Sequence, residues 1–230
     1  MVNVQTHHVP QIVVIDFDRT LSDVKASVEH LYAVTKDFGI DEQTVEAART
    51  QLEDDGGTFE PITYLKTQLS DEQMEAFYQQ FLATKMDSLF PDAQPFLQLL
   101  EENEIPFYVL TYGVSFKWQE LKVGGSSYNG PMKVMDHSDK GAEIIKWKNA
   151  DGKYVMPTSQ LDKATWVADT ICLIDDKASA FKSLPDDCTG YLIQRSETIL
   201  PSQQGQTPEH VQLIKSFGDL TITDHKLLTK

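Results

Sequence analysis

The sequence predicts an α/β protein: a doubly wound, Rossmann-like parallel sheet with helices on both faces and one small all-helical insertion. Three observations carry this expectation. Continuous apolar runs, which suit strands buried on both faces, recur at Ile12–Ile15, Pro106–Leu110 and Ile171–Ile174. Segments of helical spacing alternate with them, which implies right-handed strand–helix–strand crossovers. The alternation breaks once, between residues 22 and 90, where valine runs vanish and helical spacing alone remains. The expected division is an α/β core of residues 1–21 and 91–230 and a helical cap of residues 22–90.

Each element has local reasons. Ile12–Ile15 is the first strand, and His7 and His8 before it read as tail. In the insertion, Val24, Val28, Leu31 and Tyr32 share a helical spacing, as do Met74, Phe77, Tyr78, Phe81 and Leu82. Asp41 precedes a helix over Glu42–Leu52, and Ser70 can cap the next one. Glu53–Gly57 reads as a turn with an acidic shoulder, so the insertion holds about four helices. Asp92–Asn103 predicts a helix with Pro95 in its first turn, where a missing N–H costs little. The strand Pro106–Leu110 runs into Thr111, Tyr112 and Gly113. A helix over Val114–Lys122, a Gly/Ser-rich turn, a third strand Met132–Met135 and a helix over Asp139–Trp147 follow. Asn149–Pro157 predicts a turn or short hairpin with Asp151-Gly152 at its tip. A short helix is expected over Ser159–Val167, then the strand Ile171–Ile174, a helix over Lys177–Leu184 and a last strand Tyr191–Gln194. Ser202–Gln206 reads as a polar linker and Val211–Phe217 as a closing helix, and the final dozen residues carry no pattern.

Composition excludes some functions. At 230 residues the chain is long enough for one domain with a sizeable insertion. Its formal net charge of -15 argues against a nucleic-acid backbone or an anionic membrane as partner, since both require clustered Lys and Arg. A small phosphate can still bind where a metal ion and one or two cations gather. Cys172 lies in the apolar run ICLI and Cys188 in LPDDCTG; two such cysteines make no disulfide framework. With no membrane-length apolar segment and no visible secretory signal, a cytoplasmic location is expected. Monomer and homodimer both stay open.

Asp16 and Asp18 follow the first strand, and an Asp-x-Asp there can be nothing more than a polar turn. Two other strands also end in residues suited to chemistry, one in Thr111 and one in Asp175-Asp176. A parallel sheet delivers all of these to one edge, where open α/β sheets bind ligands. The string IVVIDFDRTL, then Thr111, then Lys140 in SDKGAEIIKW, then Asp175-Asp176 resembles the haloacid dehalogenase (HAD) superfamily. That family has D-x-D-x-T after the first strand, Thr or Ser after the second, a Lys opening a later helix, and an acidic pair after the next strand. Lys117 and Lys163 are alternatives for the lysine; K-G-x-x-I at a helix start favours Lys140.

The resemblance implies a Mg²⁺-dependent phosphatase with a helical cap, acting on a small phosphorylated metabolite. Phosphate monoesters resist hydrolysis, and a carboxylate nucleophile splits the reaction into two easier steps. On the family pattern, Asp16 attacks phosphorus and becomes an aspartyl phosphate, while Asp18 protonates the leaving oxygen and then activates water. Thr111, Lys140 and the amides of Tyr112 and Gly113 hold the phosphate. Asp16, the backbone carbonyl of Asp18, Asp175 and Asp176 (directly or through water) hold Mg²⁺. Phe17 points into the core and Thr20 fixes the turn. Arg19 stands where the family commonly has Gly; it reaches a substrate anion or the cap, or is a surface arginine paired with an acid. Lys177 neutralises the acidic pair or faces solvent. A HAD-type phosphomutase and a retired, metal-binding interaction protein on the same fold are the alternatives. A two-component receiver domain fits poorly, because its acidic pair follows the first strand. Nothing selects the substrate, or a pocket role for Arg49, Tyr64 or Lys66.

Overall fold

Ile12, Val13, Val14 and Ile15 are fully buried, and a strand can bury consecutive residues only when both sheet faces are covered. The computed structural model, which describes residues 5–54, 59–113, 115–157, 164–197 and 204–230, shows how. Strand β1 (Gln5–Ile15) lies between β2 (Phe107–Tyr112) and β5 (Ala164–Asp175). Outside these lie β3 (Met132–Met135), β6 (Thr189–Ile193) and β7 (Val211–Ile214), giving the order β3-β2-β1-β5-β6-β7 with every neighbouring pair parallel. A two-residue strand, β4 (Tyr154–Val155), joins β5 antiparallel. From β1 the chain winds outward through β2 and β3, then returns to β5 on the other side. The winding therefore reverses between β1 and β5, and such a reversal opens a crevice at the C-terminal strand ends.

One sheet face, with Ile12, Val14, Leu110, Ile171 and Leu173, packs in a cluster with Ile144, Trp147, Phe181 and Leu184. Val13, Ile15, Val109, Cys172 and Ile174 point the other way and are equally buried. Helix α5 (Ala93–Glu102) leads into β2, and its Phe96 ring stacks on Phe217 at 4.2 Å.

The chain divides into two compact units. The sheet belongs to the described residues of Met1–Ser22, Phe90–Tyr112 and Gly130–Lys230; the other unit is Asp23–Leu89 with Gly113–Asn129. The described elements of this second unit are the helices α1 (Val24–Lys36), α2 (Glu42–Asp54), α3 (Pro61–Gln68), α4 (Asp71–Ala83) and α6 (Phe116–Gly125). They enclose a core of their own, in which Leu31, Ile62, Leu65, Phe77, Phe81 and Leu121 are buried together. Capping sets the helix starts. Asp23 accepts from the Lys25 N–H at 2.9 Å, Asp41 from the Thr44 N–H at 2.8 Å, and Ser70 forms a reciprocal capping box with Gln73. No helix among the described residues is long and apolar enough to cross a membrane.

Several local expectations are corrected. His7 and His8 are not tail but part of β1, where His7 pairs with Trp166 and their rings lie 4.7 Å apart. Parallel pairing along β5 supplies the order that the polar sequence does not advertise. Of the helix expected over Ser159–Val167, residues 164–167 are β strand and the rest lie outside the described residues. Val211–Phe217 is strand β7 followed by a 3₁₀ turn, because seven residues are too few for spacing to separate strand from helix. The helix over Lys177–Leu184 shrinks to a 3₁₀ turn at Ala178–Phe181. The patternless end is a hairpin, β8 (Leu220–Thr223) and β9 (Lys226–Thr229). It docks on the sheet unit: the Leu227 N–H donates to the Gln11 side chain at 2.9 Å, and Tyr191 donates its hydroxyl to the Leu227 carbonyl at 3.2 Å. Residues 55–57 of the acidic turn, Val114 at the start of the expected sixth helix, and Ser202-Gln203 of the linker lie outside the described residues.

Candidate functional site

The register of β1 on β5 runs from Gln5↔Ala164 to Ile15↔Ile174, and the Asp16 N–H donates to the Ile174 carbonyl at 2.9 Å. One step further, Asp16 and Asp175 stand side by side across the winding reversal. With Asp176 they bring carboxylate oxygens to within 4.8 Å of one another, all three residues buried. Three buried like charges repel strongly unless cations stand among them. The Lys140 ammonium supplies one, donating to Asp16 Oδ1 and to Asp175 Oδ2. The Lys177 N–H donates to Asp175 Oδ1 at 2.8 Å, and the Thr20 hydroxyl lies 3.5 Å from Asp16 Oδ2.

These surroundings move the proton affinities. Burial pushes the Asp16 carboxyl up to about 6; Lys140 and Lys177 pull it down and Asp175 pushes it further up. Asp176 is pushed up to about 7, first by burial and then by the charges of Asp16 and Asp175. Burial disfavours charge on Lys140, but the two carboxylates outweigh it and raise its pKa, so it stays an ammonium.

The Asp176 shift has a testable sign. Between its ordinary value near 3.8 and about 7, the unfolded chain releases this proton and the folded protein retains it. Asp176 therefore makes the metal-free protein less stable as pH rises through that window, with no further change above it. Asp176→Asn removes this dependence. In EDTA the variant is expected to melt higher than wild type, by a margin that grows from pH 4 to pH 7 and then levels. A margin independent of pH would refute the assignment.

Lys140 opens helix α7 (Lys140–Ile145) and is held from behind. Asp139 caps the helix through the Ala142 N–H at 3.1 Å and also accepts from Ser183, at 3.2 Å from its N–H and 2.6 Å from its hydroxyl. Gly141 permits this approach: a Cβ there would lie 2.3 Å from the Leu184 nitrogen and 2.4 Å from the Ser183 carbonyl carbon. Both are backbone atoms and cannot swing aside. Gly141→Ala is expected to destabilise the protein by about 1–3 kcal/mol and to displace Lys140, read as a lower urea midpoint together with lower turnover.

The other expected site residues fall as follows. Thr111 is the last residue but one of β2, fully buried, two residues past Val109, the partner of Ile15. Tyr112 is the last residue of β2 and pairs with Met135. Gly113 belongs to the second unit, where Gln119 fills the space of its missing Cβ. Asp18 lies in the turn after β1, bridged to Ser22, and is not one of the three clustered carboxylates. Phe17 is buried. Lys117 pairs with Glu120 at 3.6 Å in the second unit, and Lys163 lies outside the described residues. Sequence reasoning missed Arg195. It donates to the Thr20 carbonyl at 3.0 Å and to Asp92 at 2.8 and 3.1 Å, and its guanidinium lies 4.1 Å from the Phe90 ring. It ties the Asp16–Thr20 turn to the start of α5 across a sequence gap that no local signal spans. A cavity of about 940 Å³, lined by His8, Gln11, Phe107 and Trp166 among others, sits at the opposite strand ends and includes none of the clustered carboxylates.

The sequence matches no protein-family model and no curated protein. Solved structures resemble it. A haloacid dehalogenase-like hydrolase from Burkholderia xenovorans aligns with 91% of this chain and 96% of its own, at 18% identity and a TM-score of 0.56. An L-2-haloacid dehalogenase aligns over the same shares, 91% and 96%, at 15% identity and a TM-score of 0.51. The chain has the haloacid dehalogenase-like fold, with a buried acidic cluster at the C-terminal edge of its sheet.

Proposed function

We propose that this chain is a Mg²⁺-dependent phosphatase that hydrolyses a small phosphorylated metabolite through an aspartyl phosphate on Asp16. The observation that carries the reading is Lys140 placed between Asp16 and Asp175, in a buried group with Asp176. A nucleophile, a cation for the transferred group and a hard-oxygen ligand set meet at one winding reversal. Three close carboxylates with few other protein ligands suit Mg²⁺. Asp16, Asp175 and Asp176 would hold the ion, with the Asp18 carbonyl. When bound, it neutralises charge between nucleophile and phosphate and polarises the phosphoryl oxygens.

The chain's own groups do the rest. An Asp16 oxygen attacks phosphorus, and the ester oxygen leaves with a proton from Asp18. Asp18, now a carboxylate, takes a proton from water, which attacks the acyl phosphate and frees Asp16. Lys140 and the Thr111 hydroxyl donate to the phosphoryl oxygens, where charge spreads in the transition state. Tyr112 and Gly113 are assigned amide donation to the same group. Asp18 favours this chemistry over dehalogenation, because halide departure needs no proton donor. We assign substrate selection to the helical unit and a cytoplasmic place to the protein.

The test is phosphate release from p-nitrophenyl phosphate and a panel of phosphorylated metabolites, with Mg²⁺ and with EDTA. Turnover that disappears in EDTA and returns with Mg²⁺ is expected. Mg²⁺ binding without turnover of any ester would leave an interaction protein on this fold. Interconversion of two sugar phosphates without net release would make it a mutase.

A further inference from the structure

The chain has three arginines, and two of them are paired. Arg49 holds Glu46 at 2.6 Å and Arg195 holds Asp92 at 2.8 Å. The third, Arg19, is partly buried, yet its side chain makes no hydrogen bond or ion pair with any described residue. It sits three residues from Asp16, and the neighbouring carboxylates Asp16 and Asp175 already have Lys140.

Its backbone is also unusual. Arg19 has φ 61°, in the left-handed region where an L side chain crowds its own carbonyl and glycine does not. The turn demands this conformation. The Arg19 N–H donates to the Ser22 carbonyl at 2.7 Å, and the N–H groups of Leu21 and Ser22 donate to the Phe17 carbonyl at 3.0 and 2.8 Å. Glycine would relieve the strain, and a small residue would serve the turn equally well. The position instead carries a long forked cation in a hydrogen-bonded turn, three residues along the chain from Asp16 and without a partner among the described residues. A guanidinium fork matches carboxylate or phosphoryl oxygens, and partial burial strengthens such a pair.

We propose that Arg19 is a specificity residue that binds a second anionic group of the substrate, a carboxylate or a second phosphoryl group, beside the phosphate that is cleaved. The proposal rests on the phosphatase reading and narrows it to substrates carrying two anions.

Matched pairs of compounds test it. 3-Phosphoglycerate is compared with glycerol 3-phosphate for the carboxylate, and fructose 1,6-bisphosphate with fructose 6-phosphate for the second phosphoryl group. In wild type the two-anion member of at least one pair is expected to have the higher kcat/KM. In Arg19→Gly, which suits the left-handed turn, that preference is expected to fall about tenfold or more, chiefly through KM. Arg19→Lys keeps the charge without the fork and is expected to restore part of it. The pair with the larger fall identifies the second anion. An unchanged ratio in Arg19→Gly, in a variant that melts cooperatively, would overturn the proposal.

A binding arm separates this result from failure of the phosphatase reading. Melting temperatures are measured in Mg²⁺ with the same compounds. If wild type hydrolyses nothing, the phosphatase reading is lost. An extra stabilisation by the two-anion compound that vanishes in Arg19→Gly would still support an anion site at Arg19. The absence of such a difference would remove it.

Discussion

Asp16→Asn is expected to lower kcat for p-nitrophenyl phosphate by about 10³-fold or more, with the fold intact. The amide keeps the shape of the carboxylate but cannot displace an alkoxide from phosphorus. The loss should therefore fall on kcat rather than KM. Wild type quenched during turnover of a ³²P-labelled ester should carry acid-stable, hydroxylamine-labile label, as an acyl phosphate does, and Asp16→Asn should carry none. The melting curve decides whether the loss is chemical. Burial outweighs Lys140 and leaves the Asp16 carboxyl raised to about 6, so ionising it opposes folding at neutral pH. Asp16→Asn removes that cost, and the metal-free variant should melt at or above wild type. Retained turnover with a folded variant would remove Asp16 as nucleophile, and the mechanism with it.

Lys140→Met is expected to damage both stability and rate. Lys140 is 2% exposed and donates to two of the three clustered carboxylates. Methionine fills similar space without charge, leaving the carboxylates buried and facing one another. Breaking a buried pair in this way costs about 3–5 kcal/mol. The metal-free variant should thus show a much lower urea midpoint at pH 7. The deficit should shrink at pH 5, because Lys140 is the largest influence holding the Asp16 carboxyl down and its removal favours protonation. Mg²⁺ should also narrow the gap, since a divalent cation relieves the same repulsion. Activity at saturating Mg²⁺ should remain about 10²-fold down, because the phosphoryl oxygens lose a fixed donor. Lys140→Arg is not expected to rescue, since a planar fork does not fit a slot built for one ammonium. Equal urea midpoints for Lys140→Met and wild type would show that this lysine does not hold the cluster together.

Much of the sheet was legible because the strands are buried on both faces. Ile12–Ile15 and Ile171–Ile174 announce themselves as apolar runs, and Met132–Met135 matches its strand end for end. Helices with side-chain caps were also legible, since Asp41 and Ser70 act within four residues of themselves. What failed was order created by partners far away in sequence. His7 and His8 are polar and look like tail, but ten residue pairs with β5 hold their strand in place. The C-terminal hairpin shows little periodicity and is fastened by Gln11 and Tyr191.

The residue types of the candidate site, two aspartates after one strand and two after another, could be read from the chain because chemistry restricts which side chains can serve as nucleophile and ligand. Their arrival at one sheet edge was expected too; which of them touch was not, and Asp18 stands outside the cluster of Asp16, Asp175 and Asp176. That Asp16 and Asp175 are neighbours follows from a parallel register between segments some 160 positions apart, and hydrogen bonding along the whole strand sets that register. The choice of Lys140 over Lys117 as the lysine beside Asp16 likewise depends on Gly141 letting α7 approach the Ser183–Leu184 backbone. Linear order can propose such residues, but packing decides which of them touch, because distance in a folded chain is set by sheet pairing and close contact rather than by spacing along the backbone.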